Sequence, residues 1–158
     1  MPTLILTPEQ LRGAGILNSI ELPSGGGGGN DPDAQAFLTA ATITDPTEIS
    51  AVNQLVLDLK AANIWTKMKA VYPFVGGTAT THKWNLINPV DSDAAFRLTF
   101  NGGWTHSSDG ALPNGTNAYA NTYLFALTEL QQFNHHHSFY HNTDNIGNSD
   151  RDWETNKY

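Results

Sequence analysis

Phe96-Arg97-Leu98-Thr99-Phe100-Asn101-Gly102-Gly103-Trp104-Thr105-His106 is the stretch that decides the class of fold. Apolar and polar residues alternate through its first half, so Phe96, Leu98 and Phe100 fall on one face of an extended segment. Asn101-Gly102-Gly103 reads as a turn, and Trp104-Thr105-His106 opens a second strand. Pro113-Asn114-Gly115-Thr116 turns the chain again. Residues 119–127 and 136–141 supply two further strand candidates, and Trp84-Asn85-Leu86-Ile87 supplies one upstream. Between them, Asn88-Pro89 and Asp91-Ser92-Asp93 read as loop. Short strands at this spacing, rich in Asn, Thr and Gly, predict an antiparallel sheet or sandwich over residues 78–148.

Upstream of residue 78 the period changes to that of a helix. Asp31-Pro32 starts a short helix through Phe37 and Leu38. Asp45-Pro46-Thr47-Glu48 then places an N-cap before a proline at the first helical position. Ile49, Val52, Leu55, Val56 and Leu59 trace one face of a helix of about 17 residues, and Leu57 falls off it. A third short piece, 64–71, sets Trp65, Met68 and Tyr72 on one side before Pro73 and Gly76-Gly77 end it. Farther upstream, Pro23-Ser24 and five consecutive glycines at 25–29 read as a flexible linker. No strand precedes that run and no Lys-Ser/Thr follows it, so it lacks the pattern of a phosphate-cradling loop. Residues 1–22 hold a capped turn at Thr7-Pro8-Glu9-Gln10, closed by Gly13 and Gly15. They also carry Leu4, Ile5, Leu6, Leu11, Ile16, Leu17, Ile20 and Leu22, more apolar side chains than so small a piece can bury alone. The predicted architecture is therefore α+β. A docking segment (1–22), a linker (23–30) and a helical oligomerisation segment (31–73) precede the β-sandwich (78–148) and a tail (149–158).

Composition narrows the function. The 158 residues are 39% apolar and only 15% charged, with 8 Lys+Arg against 15 Asp+Glu and a formal net charge of −7. Residues 71–142 contain only Lys83 and Arg97 as fixed cations, and a phosphate backbone needs a basic face, so a nucleic-acid partner is not expected. No apolar run approaches the length of a membrane-spanning helix. The first residues lack the basic region and apolar stretch of a signal peptide. Cysteine is absent, which removes disulfides, thiolate metal sites and cysteine nucleophiles together.

Three segments carry a family likeness. They are Asp33-Ala34-Gln35-Ala36-Phe37-Leu38 through Ile43-Thr44-Asp45-Pro46; Ile64-Trp65-Thr66-Lys67-Met68-Lys69-Ala70-Val71-Tyr72-Pro73 with Gly76-Gly77-Thr78-Ala79; and Phe100-Asn101-Gly102-Gly103-Trp104-Thr105-His106 through Asn114-Gly115-Thr116-Asn117. In this order, over residues 31–147, the chain resembles tailed-bacteriophage virion proteins that join a helical segment to a concanavalin-like (laminin-G-like) jelly roll. The resemblance implies a structural protein of a phage fibre, knob or capsid attachment, located in the virion and in contact with other virion proteins. The resemblance gives location better than chemistry, and the chain is not expected to be an enzyme. Two features depart from it. The β region has room for about six to eight strands, so the jelly roll is reduced or cut short, and residues 149–158 do not match the expected continuation. An incomplete sheet leaves a bare edge that another chain would cover, which favours a homo-oligomer, a trimer first.

Four groups of residues are candidates for binding or chemistry. His135, His137 and His141 share one face if residues 135–141 are a strand, and in a trimer the His-x-His pairs would supply six nitrogens to an octahedral transition metal. Some trimeric phage fibres resemble this arrangement. The alternative is partly exposed polar histidines beside a loop. Trp84, Trp104, Tyr119, Tyr123 and Tyr140 could stack on the sugar rings of a host-surface glycan; the alternative is that Trp84 and Trp104 fill the sandwich core, which is favoured for Trp104. Asn101, Asn114 and Asn117 read as turn formers rather than sugar ligands. Asp91, Asp93 and Asp109 could hold calcium through loop carboxylates, with solvated loop as the alternative. Asp150, Asp152 and Glu154 alternate as in jelly-roll glycan hydrolases, but at the tail they read as solvated. The leading expectation is a virion building block with no cofactor. A carbohydrate-binding module is the alternative, and a glycan-cleaving enzyme a more distant one.

Overall fold

The computed structural model describes residues 29–131 and 134–140. It begins with helix α1, Pro32–Ala40, which Asp31 caps by accepting from the Asp33 N–H at 3.0 Å. Ala34, Phe37 and Leu38 recur at helical spacing and are buried. Helix α2, Pro46–Ala61, is capped by Asp45, whose Oδ1 accepts from Thr47 N at 2.8 Å and Glu48 N at 3.0 Å. Val52 and Val56 are buried, Ile49 and Leu55 pack beside them, and Leu57 is exposed as its off-face position predicts.

Both helices end the same way. Thr42 and Asn63 turn left-handed, with φ of 57° and 58°. Each lets the next residue donate back into its helix, Ile43 N to Leu38 O at 2.9 Å and Ile64 N to Leu59 O at 3.1 Å. The two helices are tied to each other by polar contacts. Lys60 Nζ lies 2.6 Å from both Asp31 and Asp33, and Asn53 Oδ1 accepts from Asp31 N at 2.7 Å. Lys60 therefore lowers the Asp31 carboxyl from its ordinary value, chiefly through its hydrogen bond.

A single turn of 3₁₀ helix, Trp65–Lys67, leads into an irregular strap over residues 68–78, with Phe74, Gly76 and Gly77 at positive φ. The strap ends in the short helix α3, Ala79–His82, started by Thr78 in a reciprocal capping box with Thr81. Here the structure departs from the sequence reading, because Trp84-Asn85-Leu86-Ile87 is not a strand. Leu86 is fully buried with Phe37, Val52 and Val56, so the helical segment and the residues after Thr78 share one core. Asn85 does the work a ladder would have done. Its Oδ1 accepts from Val71 N (3.0 Å) and Ile87 N (3.1 Å), while its Nδ2 donates to Lys69 O (3.2 Å) and Ala95 O (3.0 Å).

The predicted 96–100 strand is also shortened. Residues Asp93–Ala95 form a 3₁₀ turn that ends with Phe96 at φ 59°, and a left-handed residue cannot continue a strand. Strand β1 is Thr99–Asn101, β2 Trp104–Ser107, β3 Gly110–Pro113 and β4 Tyr119–Asn121. The pairs are nested. β2 pairs antiparallel with β3, Thr105 opposite Leu112, and outside them β1 pairs antiparallel with β4, Phe100 opposite Ala120. Tyr123, at φ 56°, ends the 119–127 candidate early, and helix α4, Ala126–Glu129, follows. Residues 136–140 are not in a strand, and His141 lies outside the described residues. The fold is thus mixed α+β. Among the described residues the four strands form two separate two-stranded sheets. No described helix is long and apolar enough to cross a membrane.

Candidate functional site

Two polar side chains are fully buried among the described residues, Asn85 and His82. Asn85 is satisfied by four backbone groups and is structural. His82 meets a second histidine, and the hydrogen bonds fix which nitrogen of each ring carries the proton. The N–H of Gly77 can only donate, and it points at His82 Nε2 at 3.1 Å. A neutral His82 must then carry its hydrogen on Nδ1. That Nδ1 lies 2.9 Å from His106 Nδ1, which accepts, so His106 carries its hydrogen on Nε2.

The surroundings are aromatic. Phe74 meets His82 edge-on at 5.4 Å, and Phe100 meets His106 edge-on at 4.6 Å. Trp104 stacks 6.3 Å from His106 and donates from Nε1 to Asn101 O at 2.9 Å. Burial first, and the His106 ring second, push His82 down to about 4 from the ordinary 6.5. Burial lowers His106 as well. Gly77 lets the strap approach: a Cβ there would stand 3.2 Å from the backbone of Ser107 and Ser108, at a φ of 70°. The strap, α3 and the β2–β3 hairpin thus meet at one histidine pair. The sequence reading passed over both rings, since nothing local marks two histidines 24 positions apart as partners.

The predicted binding residues are scattered. Trp84 is half-buried against the core, with Lys83 Nζ 4.7 Å above its ring. Tyr123 donates its hydroxyl to Thr99 Oγ1 at 3.0 Å, and the Arg97 guanidinium lies 5.8 Å over its ring. A charged strip joins these two aromatics. Asp91 pairs with Lys83 at 2.6 Å and with Arg97 Nε at 3.1 Å, and Arg97 Nη2 donates to Asp93 at 2.8 Å. The hydrogen bond from Lys83 holds the Asp91 carboxyl below its usual value. Asp91 and Asp93 therefore face cations of the chain itself, and Asp109 sits apart on the β2–β3 turn. Tyr119 and Tyr140 are exposed.

His135 and His137 come together, rings 5.2 Å apart, with His135 Nδ1 3.0 Å from Gln131 O. No group of three or more metal-ligating side chains occurs among the described residues. Asp150, Asp152 and Glu154 lie outside them. The asparagines shape turns as expected. Asn114 Oδ1 accepts from Thr116 N and Asn117 N, and Asn117 Oδ1 accepts from Gly103 N and Asn114 Nδ2. Comparison of the chain with protein-family models, with curated proteins and with solved structures finds no match in any of the three.

Proposed function

We propose that this chain is a structural building block of a tailed-phage particle. Residues 1–22 dock it, residues 31–98 form a firm platform, and the distal ribbons meet neighbouring copies. One observation carries the reading. The distal part is built around short, open strand pairs and displays large apolar side chains: Tyr119 is 61% exposed, Phe125 69%, Leu127 81% and Tyr140 88%. Surfaces of that kind belong to chains that are covered by others. A jelly-roll sandwich then arises by adding strands to the two ribbons, and trimers are the favoured assembly. The order of the three family-like segments supports a location in the virion, with the particle's other proteins as partners. In this reading the chain has no reacting centre of its own.

Mass spectrometry of purified particles tests it. The chain is expected at a fixed copy number, in a multiple of three. A purified chain that stays monomeric, is missing from particles and depolymerises a polysaccharide would overturn the reading. The exposure of Tyr119 and Tyr140 favours one second reading, a carbohydrate-binding surface. A glycan array distinguishes it, with binding lost in Tyr119→Ala and Tyr140→Ala.

A further inference from the structure

We propose that the His82–His106 pair is a proton-operated latch that holds the β2–β3 hairpin against α3 and the strap, and that acid releases it. The argument rests on hydrogen-bond roles. In the neutral pair every facing atom is matched: Gly77 N–H to His82 Nε2, and His82 Nδ1–H to His106 Nδ1. A proton added at His106 Nδ1 would face the hydrogen on His82 Nδ1. A proton added at His82 Nε2 would face the hydrogen of Gly77. Moving the His82 hydrogen from Nδ1 to Nε2 only transfers the conflict from one end to the other. One extra proton therefore breaks one bond of the relay wherever it settles.

Among the described residues, the groups packed on the pair offer a cation no carboxylate. The strap contributes Phe74 and the Gly77 N–H, β1 contributes Phe100, and β2 contributes Trp104. Nearby charges are engaged elsewhere. Glu48 of α2 accepts from Gly76 N at 3.0 Å, one residue from the relay, and Lys83 is paired with Asp91. Burial strengthens the preference for the neutral pair and moves the release below the ordinary histidine range. The core of α1 and α2 is closed by Leu86, which packs with Phe37, Val52 and Val56. Release therefore frees the hairpin and leaves the platform folded.

Nuclear magnetic resonance of the full chain tests the latch. At neutral pH, long-range proton–nitrogen correlations are expected to place the His82 hydrogen on Nδ1. On acidification the pair should take up its proton well below pH 6.5. In the same transition amide protection should fall at Thr105 and Leu112 and persist at Val52 and Val56. Substituting His106→Phe should leave hairpin protection independent of pH across this range, and Glu48→Gln should leave the midpoint where it was. A His82 hydrogen on Nε2, titration of the pair at the ordinary histidine value, hairpin exchange that ignores ring protonation, or an unchanged transition in His106→Phe would each overturn the proposal. So would a midpoint that follows Glu48→Gln.

Discussion

Asn85 replaces four backbone partners with one side chain, and its position inside the core makes it the most sensitive polar residue described. Asn85→Leu strands the Val71 and Ile87 N–H groups and the Lys69 and Ala95 carbonyls, and is expected to cost about 3 kcal/mol or more in urea denaturation. A Trp-Asn-Leu-Ile run reads as a strand because its local pattern cannot show whether an amide faces solvent or caps four buried groups. His82 was hidden for a related reason, since its partner is remote in sequence. It also makes stability depend on pH. Unfolded, it takes up a proton near the ordinary 6.5; folded, only at about 4. Between those values the unfolded chain binds more protons. The stabilisation is therefore full above pH 6.5, declines as pH falls, and is gone once the folded state is itself protonated. Urea midpoints should drop across this window in the native chain and drop less in His82→Phe.

At the scale of elements, the helix starts and the length of α2 were legible, and the left-handed residues that turn the chain out of each helix were not. Asp-Pro before an apolar period announces an N-cap and a first turn, and both helices begin where that signal places them. Their left-handed ends use Thr42 and Asn63, where a reader looks for glycine. Thr42 is β-branched and exposed, so its conformation is strained and its side chain is not needed for packing. Thr42→Gly should raise the unfolding free energy by about 1 kcal/mol, with a smaller gain for Asn63→Gly, because Asn tolerates that region. Phe37→Ala should cost about 4 kcal/mol by opening a cavity among Leu38, Val52, Val56 and Leu86. The strands were read too long for a comparable reason. Period-2 patterning ran through Phe96 and Tyr123, and neither residue's positive φ is visible in its side-chain chemistry.

For the whole molecule, the mixed class was readable, and the entry of Leu86 into the core of α1 and α2 from beyond residue 78 was not. The distal surface is where assembly is expected to act. Leu127→Asp should change the unfolding midpoint by less than about 0.5 kcal/mol, because the side chain is exposed. In light scattering it should nonetheless lower the fraction of oligomer. A large loss of monomer stability without any change in assembly would count against the proposed role of this face.

The nested strand order also dictates how the distal part can be made. β1 and β4 are separated by the whole inner hairpin, so pairing them first would close a long loop, whereas β2 and β3 need only a tight turn. Once that inner turn has zipped, the 114–117 bend docks on Gly102, where a Cβ would stand 2.1 Å from Asn117 O, and the outer strands are delivered to each other almost side by side. A bulky residue at 102 would thus slow the arrival of the outer pair while leaving the inner one to form at its native speed.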